Sequence, residues 1–240
     1  VRSLEELRTS LDALADQNRW VVKAEFGMSA RERILGRGRE ITDAAANWLR
    51  QRLRSDGIVF FEPWVERVEE AGLQLTIRRN GEIEFDGLTP LLTDGTGQYR
   101  GNDFTPDAET VRRWTETIEI GRRAAGRIAA AGYFGPLGID AMRYRAADGT
   151  VRLRPLQDVN ARCTMGRLGL GFRRLLRPGE AGVWRQERWS FPSVAAARSA
   201  LGDRVVTPAD GMRTVRTSPL EVGGRPSRIG TRAVLQSPVS

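Results

Sequence analysis

The chain has 240 residues, of which 40% are hydrophobic and 28% charged, so it can bury a core as one large domain or two small ones. It contains no histidine and one cysteine, which excludes a Ser-His-Asp triad, His-ligated zinc or haem, and an internal disulfide. A single cysteine is typical of a reducing, cytoplasmic compartment, and no apolar run approaches the roughly 18 residues of a membrane span.

The net charge of +8 raises the question of a nucleic-acid partner. The cationic residues are spread along the chain with acids between them, and no interleaved aromatic–basic repeat is present. We therefore interpret the charge as a bias towards arginine, and an arginine-rich nucleic-acid binder is the less favoured hypothesis. Lys23 is the only lysine among 38 lysine and arginine residues, which suggests a role that arginine does not fill.

The predicted elements alternate between helices and strands. They are, in chain order, a helix capped at Ser3, a strand at 19–26, a glycine loop, a helix at about 42–54, a buried strand ending at Pro63, a hairpin turning at Asn80-Gly81, a long helix opened by Thr105-Pro106 and ended by Gly132, and a second hairpin made of LGIDAMRYR and TVRLRPLQDVN. Beyond Gly166 the pattern weakens. There, SVAAARSALG predicts a helix, GTRAVLQS predicts a closing strand, and MGRLGLGFRR (165–174) is either a substrate-side loop or a flexible connector.

The second hairpin carries the side chains with the clearest chemistry. Because side chains alternate along a strand, Asp158, Asn160 and Arg162 are predicted to project from one face. A three-residue loop at 147–149 would place Asp140 diagonal to Asp158, within about 7–8 Å. Two carboxylates and an amide oxygen are ligands that Mg²⁺ accepts, and an arginine beside them suits a phosphate or carboxylate. The alternative at this point is an ordinary polar face on a half-exposed hairpin.

Lys23 stands near the end of the first predicted strand, just before the glycine-containing segment FGMSARERILGRG (26–38). A strand-end lysine and the backbone N–H groups of such a loop can bind phosphates. The loop lacks the GK[ST] of a Walker motif. Its alternative interpretation is a surface turn in which Lys23 was kept by chance.

Taken in order, VVK with its glycine loop, the apolar strand FFEPWV, and GIDAMRY followed by LQDVNAR resemble the ATP-grasp superfamily, and within it the carboxylate–amine ligases such as D-alanine–D-alanine ligase and biotin carboxylase. The resemblance covers about residues 19–166. It implies an α/β (α+β) fold with two subdomains, each with an antiparallel sheet, that hold the nucleotide between them. The implied domains are 1–65 with the phosphate loop and hinge strand, 66–175 with the metal site, and 176–240 as a C-terminal extension that completes the domain.

The resemblance also implies roles for individual residues around the phosphates. Lys23 would contact the α- and β-phosphates of ATP, and Gly27 and Ser29 would belong to a loop that closes over them. Arg162 would steady the γ-phosphate or an acyl-phosphate intermediate. The implied ligands of Mg²⁺ (or Mn²⁺) are Asp140, Asp158 and Asn160.

For the nucleoside, the resemblance implies contacts from the hinge strand. Glu62 and Val65 would offer backbone groups to the adenine, and Trp64 would pack close by. Glu69 lies near the position of an acid on the ribose hydroxyls, and Glu66 or Glu70 could substitute for it.

The implied activity is that of an ATP-dependent, ADP-forming carboxylate–amine ligase acting on small-molecule carboxylates and amines through an acyl phosphate. The alternative is an ATP-binding but catalytically inactive module with a regulatory or scaffolding role. The resemblance implies neither a membrane nor a nucleic-acid partner, and it leaves a homodimer open. Asp158 stands where the family more often has glutamate. A second phosphate-binding lysine and a small domain would precede Val1, so we expect the chain to be an excerpt of a longer protein.

Overall fold

A computed structural model of the chain describes residues 1–14, 19–25, 32–95, 97–146, 148–202, 204–206 and 212–237. The chain divides into two compact units, each of which is described by itself. The first consists of Val1–Glu66 with Arg145–Asp148, and the second of Arg67–Tyr144 with Gly149–Ser240. The predicted three-part division at 65/66 and 175/176 stays a prediction.

The first unit contains a three-stranded antiparallel sheet and two helices. Its elements are α1 (Leu4–Asp12), β1 (Arg19–Ala24), β2 (Arg33–Arg37), α2 (Asp43–Asp56) and β3 (Val59–Pro63). β1 lies in the centre of the sheet, between β2 and β3. The hydroxyls of Ser3 and Thr42 accept hydrogen bonds from backbone N–H groups in the first turns of α1 and α2, which fixes where both helices begin.

Apolar side chains from both helices and the sheet form the core of this unit. Its fully buried members are Leu7, Leu11, Trp20, Val22, Leu49 and Val59. Strand β3 was predicted to be buried, but Phe60 is 47% exposed. β3 is an edge strand of its sheet. Its length and apolar composition did not distinguish an edge strand from a central, buried one.

The second unit contains the remaining elements, except for Glu66 and Arg145, the terminal residues of two strands, which belong to the first unit. They are β4 (Glu66–Ile77), β5 (Ile83–Thr93), β6 (Tyr99–Asp103), α3 (Ala108–Arg113), α4 (Thr115–Ala130), β7 (Gly135–Arg145), β8 (Val151–Asn160), α5 (Met165–Gly171), the 3-10 helix Phe172–Leu175, β9 (Ala181–Arg188), α6 (Val194–Leu201), β10 (Val205–Val206), β11 (Arg213–Arg216), β12 (Glu221–Val222), β13 (Arg225–Pro226) and β14 (Ile229–Gln236). Within the described residues, nine of the strands form one sheet in the order β10-β11-β14-β9-β6-β5-β4-β7-β8. The pairings from β10 through β4 are antiparallel.

The hairpin predicted at Asn80-Gly81 is confirmed. β4 and β5 pair antiparallel up to Ile77 and Ile83, and Gly81 adopts the left-handed conformation with φ of 83°. A bulge interrupts the pairing between Gln74 and Leu75.

Helix α4 packs against the end of the large sheet that is formed by β5, β4, β7 and β8. The buried core here consists of Ala71, Leu73, Leu75, Ile77, Leu88, Trp114, Ala125, Leu137, Ile139 and Ala141. A second core, between the sheet and the segment around the 3-10 helix, consists of Phe104, Trp184, Val215, Ala233 and Leu235. None of the helices in the described ranges is both long enough and apolar enough to cross a bilayer.

The long helix predicted after Thr105-Pro106 is two helices. α3 begins at Ala108, where the carboxylate of Asp107 accepts a hydrogen bond from the Thr110 N–H at 2.6 Å. The helix breaks at Trp114, whose ψ of 10° ends α3 and whose indole is 1% exposed. The spacing of apolar residues does not reveal this break, because both helices present their apolar faces to the same core.

Candidate metal and phosphate site

The three predicted metal ligands lie together on the neighbouring strands β7 and β8. Asp140 belongs to β7, whereas Asp158 and Asn160 lie at the C-terminal end of β8. The Asn160 amide Nδ2 donates to Asp140 Oδ2 at 3.3 Å and to Asp158 Oδ2 at 3.4 Å. Acceptor oxygens of two carboxylates therefore converge on one point, which the amide nitrogen occupies.

Arg162 reaches this cluster through a turn. β8 ends at Asn160, and the Arg162 N–H donates to the Asn160 carbonyl at 2.8 Å. The guanidinium Nη2 then donates to Asn160 Oδ1 at 2.8 Å. The prediction that Arg162 projects from the same strand face as Asp158 was therefore wrong, because β8 ends two residues before Arg162. The Arg162 side chain nevertheless lies beside Asn160, one of the predicted metal ligands.

The cluster carries an excess of negative charge around Asp140. Burial, together with the charges of Asp158 and Glu70, raises the pKa of Asp140 to about 6, although Arg162 and the Asn160 hydrogen bond oppose the rise. A cation placed nearby would stabilise the charged form of this carboxylate. The electrostatics therefore favour the binding of positive charge at the point where the carboxylates converge.

The donor set fits Mg²⁺. Within the described ranges, no group of three or more His, Cys, Asp and Glu side chains is close enough to hold a metal, so the amide must complete the set. Rotation of the Asn160 side-chain amide by a half turn exchanges its nitrogen and oxygen. The three side chains then present only hard oxygen ligands, and Mg²⁺ normally completes such a shell with phosphate oxygens and water.

A buried polar network supports the segment that follows Arg162. Gln74, 2% exposed, accepts a hydrogen bond from the Thr164 hydroxyl at 2.7 Å, and the Thr89 hydroxyl donates to the Gly72 carbonyl at 3.0 Å. Thr164 is also the N-cap of α5. Sequence analysis did not single out Gln74, although a polar residue within the apolar run LQLTI was an available signal.

The segment MGRLGLGFRR is helical, forming α5 and the 3-10 helix Phe172–Leu175, so the predicted loop or flexible connector was wrong about its secondary structure. Its glycines allow α5 to approach the sheet closely. A Cβ atom at Gly166 would lie 2.3 Å from Gln74 Nε2, and one at Gly169 would lie 2.2 Å from Asn102 Oδ1. Glycine is a poor helix former, which is why composition alone pointed to a loop.

In the first unit, Lys23 forms an ion pair with Glu62. Lys23 Nζ lies 2.8 Å from Glu62 Oε1, and the two side chains are 32% and 27% exposed. The pair is diagonal across β1 and β3, because Lys23 is directly opposite Phe60. Two residues that the sequence assigned to one nucleotide are therefore neighbours, and their contacts with ATP stay predictions.

The other predicted nucleotide contacts are partly engaged with arginines. The ring of half-buried Trp64 has the guanidinium carbons of Arg19 and Arg33 at 5.2 and 5.7 Å from its centroid. The carboxylate of Glu69 accepts from Arg143 Nη1 at 3.3 Å and lies 3.8 Å from Arg113 Nε.

Three further residues complete the account of the predicted contacts. Val65 lies half-buried between β3 and β4. Gly27 and Ser29 fall outside the described residues.

Glu70 interacts electrostatically with one of the candidate metal ligands, which the sequence did not indicate. The resemblance implied for it only a possible substitution for Glu69 on the ribose. In the structure, its charge raises the pKa of Asp140, and its Oε2 accepts from the Thr93 hydroxyl at 3.0 Å. Glu70 is therefore an additional acidic neighbour of the candidate metal ligands.

Comparison with known proteins finds similarity in structure and none in sequence. No family model matches the chain, and no curated protein matches it. Among solved structures, it is similar to the biotin carboxylase domain of the Hydrogenobacter thermophilus 2-oxoglutarate carboxylase, a dimer in complex with magnesium ADP, ADP and bicarbonate (TM-score 0.59, 12% identity, 97% of this chain and 56% of that chain).

Two further similar structures are N5-carboxyaminoimidazole enzymes. One is the Aspergillus clavatus synthase in complex with ADP and 5-aminoimidazole ribonucleotide (TM-score 0.56, 14% identity, 99% of this chain and 62% of that chain). The other is the Thermus thermophilus N5-carboxyaminoimidazole ribonucleotide synthetase (TM-score 0.55, 14% identity, 98% of this chain and 61% of that chain). The chain thus spans about three fifths of the length of these structures.

These structures have the ATP-grasp fold, and they share the mixed α/β architecture with antiparallel sheets described above. The fold class predicted from the sequence and the similarity to ATP-grasp structures are both confirmed. The chain has the ATP-grasp fold.

Proposed function

We propose that the chain is the ATP- and metal-binding part of an ATP-dependent, ADP-forming carboxylate–amine ligase. The observation that carries the proposal is the convergence of Asp140, Asp158 and Asn160 on β7 and β8, in a chain with the ATP-grasp fold. Similar structures that contain ADP, one of them with magnesium, support a nucleotide as the ligand.

The proposed reaction has two steps. A carboxylate oxygen of the first substrate attacks the γ-phosphorus of ATP, the bond to the ADP oxygen breaks, and an acyl phosphate forms. The nitrogen of the second substrate then attacks the acyl carbon, inorganic phosphate leaves, and the nitrogen loses a proton. Neither step needs a covalent nucleophile from the protein, in keeping with a chain that has no histidine and one cysteine.

The proposed roles of the residues in the second unit follow from their charges. Asp140, Asp158 and Asn160 would hold Mg²⁺ or Mn²⁺. Once bound, the ion would neutralise negative charge on the phosphates. Rotation of the Asn160 amide would release Arg162 from its present acceptor, and its guanidinium could then bind the phosphoryl group that is transferred.

For the first unit, the proposed nucleotide contacts follow from the resemblance. Lys23 would exchange the Glu62 carboxylate for the α- and β-phosphates, since a compact ammonium can move between acceptors on its own stem. The backbone of Glu62 and Val65, with Trp64 nearby, would bind the adenine, as the resemblance implies. Glu69 would bind the ribose.

A calorimetric titration of ATP with magnesium into the chain tests the proposal. We expect saturable binding that requires magnesium and weakens in Asp158→Asn and in Lys23→Ala. The matched control is Glu119→Gln, which removes an exposed carboxylate on α4. Equal affinity with and without magnesium, or an unchanged affinity in Asp158→Asn, would contradict the metal assignment.

The second candidate is an ATP-binding module without catalytic activity. It is favoured by the small number of carboxylates among the described ligands, since only two of the three proposed metal ligands are acids. The two candidates differ in turnover. A ligase releases ADP when carboxylate and amine are both present, whereas an inactive module binds magnesium ATP and releases none.

A further inference from the structure

A cavity of about 490 Å³ lies in the C-terminal part of the second unit. We call it the arginine cavity because three of its lining residues are Arg198 of α6, Arg204 just before β10, and Arg216 at the end of β11. The segment Thr217–Glu221, which connects β11 to β12, forms another wall. The volume lies within the range of about 300–1,000 Å³ that is usual for small-molecule sites.

The cavity has an excess of positive charge. Glu221 is the one acidic side chain among the described lining residues, against three arginines. Within the described parts of the chain, none of these arginines forms an ion pair with a carboxylate. Other arginines of the same unit do have carboxylate partners; examples are Arg213 with Glu180, Arg167 with Asp86, and Arg232 with Glu187.

Two of the guanidinium groups are held in place by backbone carbonyls. Arg216 Nη1 donates to the Gly202 carbonyl at 3.2 Å, and Arg204 Nε donates to the Arg216 carbonyl at 3.3 Å. Each bond uses one N–H of a guanidinium that has five. The remaining donors are available to a ligand, while the side chains lose less freedom on binding than unrestrained arginines would.

The remaining lining residues suit the organic part of a ligand. The Ser218 hydroxyl accepts a hydrogen bond from the Thr231 N–H at 2.9 Å, so its own proton is available to an acceptor in the cavity. Val194, Pro219 and Leu220 add apolar surface to the same walls. The cavity therefore combines donors for an anion with contact surface for carbon atoms.

We propose that the arginine cavity binds a small organic phosphate, a phosphomonoester whose dianion matches the net positive charge of the lining. The arginine fork donates to phosphate oxygens in pairs, and a phosphate offers enough acceptors for more than one arginine. None of its described lining residues belongs to the Asp140 cluster or to the predicted nucleotide contacts. The site is therefore separate from the proposed ligase chemistry and suits a regulatory or second ligand.

The test is a calorimetric titration of the full chain with inorganic phosphate and with phenyl phosphate, in EDTA so that a metal-dependent nucleotide site stays silent. We expect saturable binding, tighter for phenyl phosphate, that weakens at least roughly tenfold in Arg198→Gln/Arg204→Gln. The matched control, Arg123→Gln/Arg127→Gln, removes the same charge from the exposed face of α4 and should leave the affinity unchanged.

Two additional variants make the outcome decisive. Lys23→Ala should bind both probes as the parent chain does, which separates this site from the nucleotide phosphates. Arg198→Lys/Arg204→Lys keeps the charge and should bind between the parent and the glutamine variant, and it replaces the glutamine variant if that one does not fold. The proposal is overturned by a lack of saturable binding up to about 10 mM, by equal weakening in the α4 control, or by loss of binding in Lys23→Ala.

Discussion

Replacement of Asp140 by asparagine should stabilise the chain at neutral pH when no divalent cation is present. The native environment raises the pKa of this carboxyl from 3.8 to about 6, through burial and the charges of Asp158 and Glu70. The native state therefore keeps a proton that the unfolded chain releases between these pH values. The free energy of unfolding therefore falls as the pH rises from 3.8 to about 6, and the whole destabilisation is present at higher pH.

The size of the effect follows from the same shift. A difference of about 2 pKa units corresponds to about 3 kcal/mol, and the solvent around a half-buried side chain reduces this to about 1–3 kcal/mol. Asparagine keeps the oxygen that accepts from Asn160 and carries no charge. The gain in Asp140→Asn should therefore be near zero at pH 4 and reach its full size at pH 7–8.

Urea unfolding in EDTA, followed by tryptophan fluorescence at several pH values, measures this difference. Glu119→Gln, which neutralises an exposed carboxylate on α4, should track the parent chain at every pH. Addition of magnesium and ADP should reverse the order, because the parent chain gains stability from the ligand and Asp140→Asn does not. A variant that is less stable than the parent at pH 8, or a difference that does not change with pH, would refute the charge argument.

Three more substitutions test the fold and the site. Gly166→Ala should lower the free energy of unfolding, measured in urea, by about 1–3 kcal/mol, because its Cβ would lie 2.3 Å from Gln74 Nε2. Its control is Gly171→Ala, at a position with φ of −61° and open space around it, which should leave the free energy of unfolding unchanged or raise it by up to about 1 kcal/mol. Arg213→Ala leaves a buried carboxylate unpaired and should lose about 3–5 kcal/mol, whereas the exposed ion-pair variant Arg78→Ala should not shift the urea midpoint. Asp158→Asn should abolish ADP release from magnesium ATP without lowering the urea midpoint, and a variant with full turnover would contradict its metal role.

Local sequence patterns predicted the parts of the structure that depend on near neighbours. The turn at Asn80-Gly81 was predicted because only a few residue types adopt its backbone angles. The convergence of Asp140 with Asp158 was predicted from strand alternation and the length of one hairpin. Such inferences hold because the chemistry that decides them lies within a few residues.

Other features depend on contacts that are distant in sequence. Helix α5 is rich in glycine and was expected to be irregular, but Gly166 and Gly169 allow it to contact side chains of β4 and β6. The ion pair of Lys23 with Glu62 requires the register of β1 against β3, which no local pattern specifies. The lone lysine therefore has a partner that sequence reasoning did not predict.

The most direct test of the metal assignment uses Mn²⁺ in place of Mg²⁺. Electron paramagnetic resonance of Mn²⁺ in the presence of ADP counts the free ion and so reports how much is bound to the chain. We expect the parent chain and Glu119→Gln to bind one ion with equal affinity and Asp158→Asn to bind it at least roughly tenfold more weakly, with Asn160→Ala weakened in the same direction. Equal binding of Mn²⁺ by the parent chain and Asp158→Asn would show that the ion lies elsewhere, and would contradict the account.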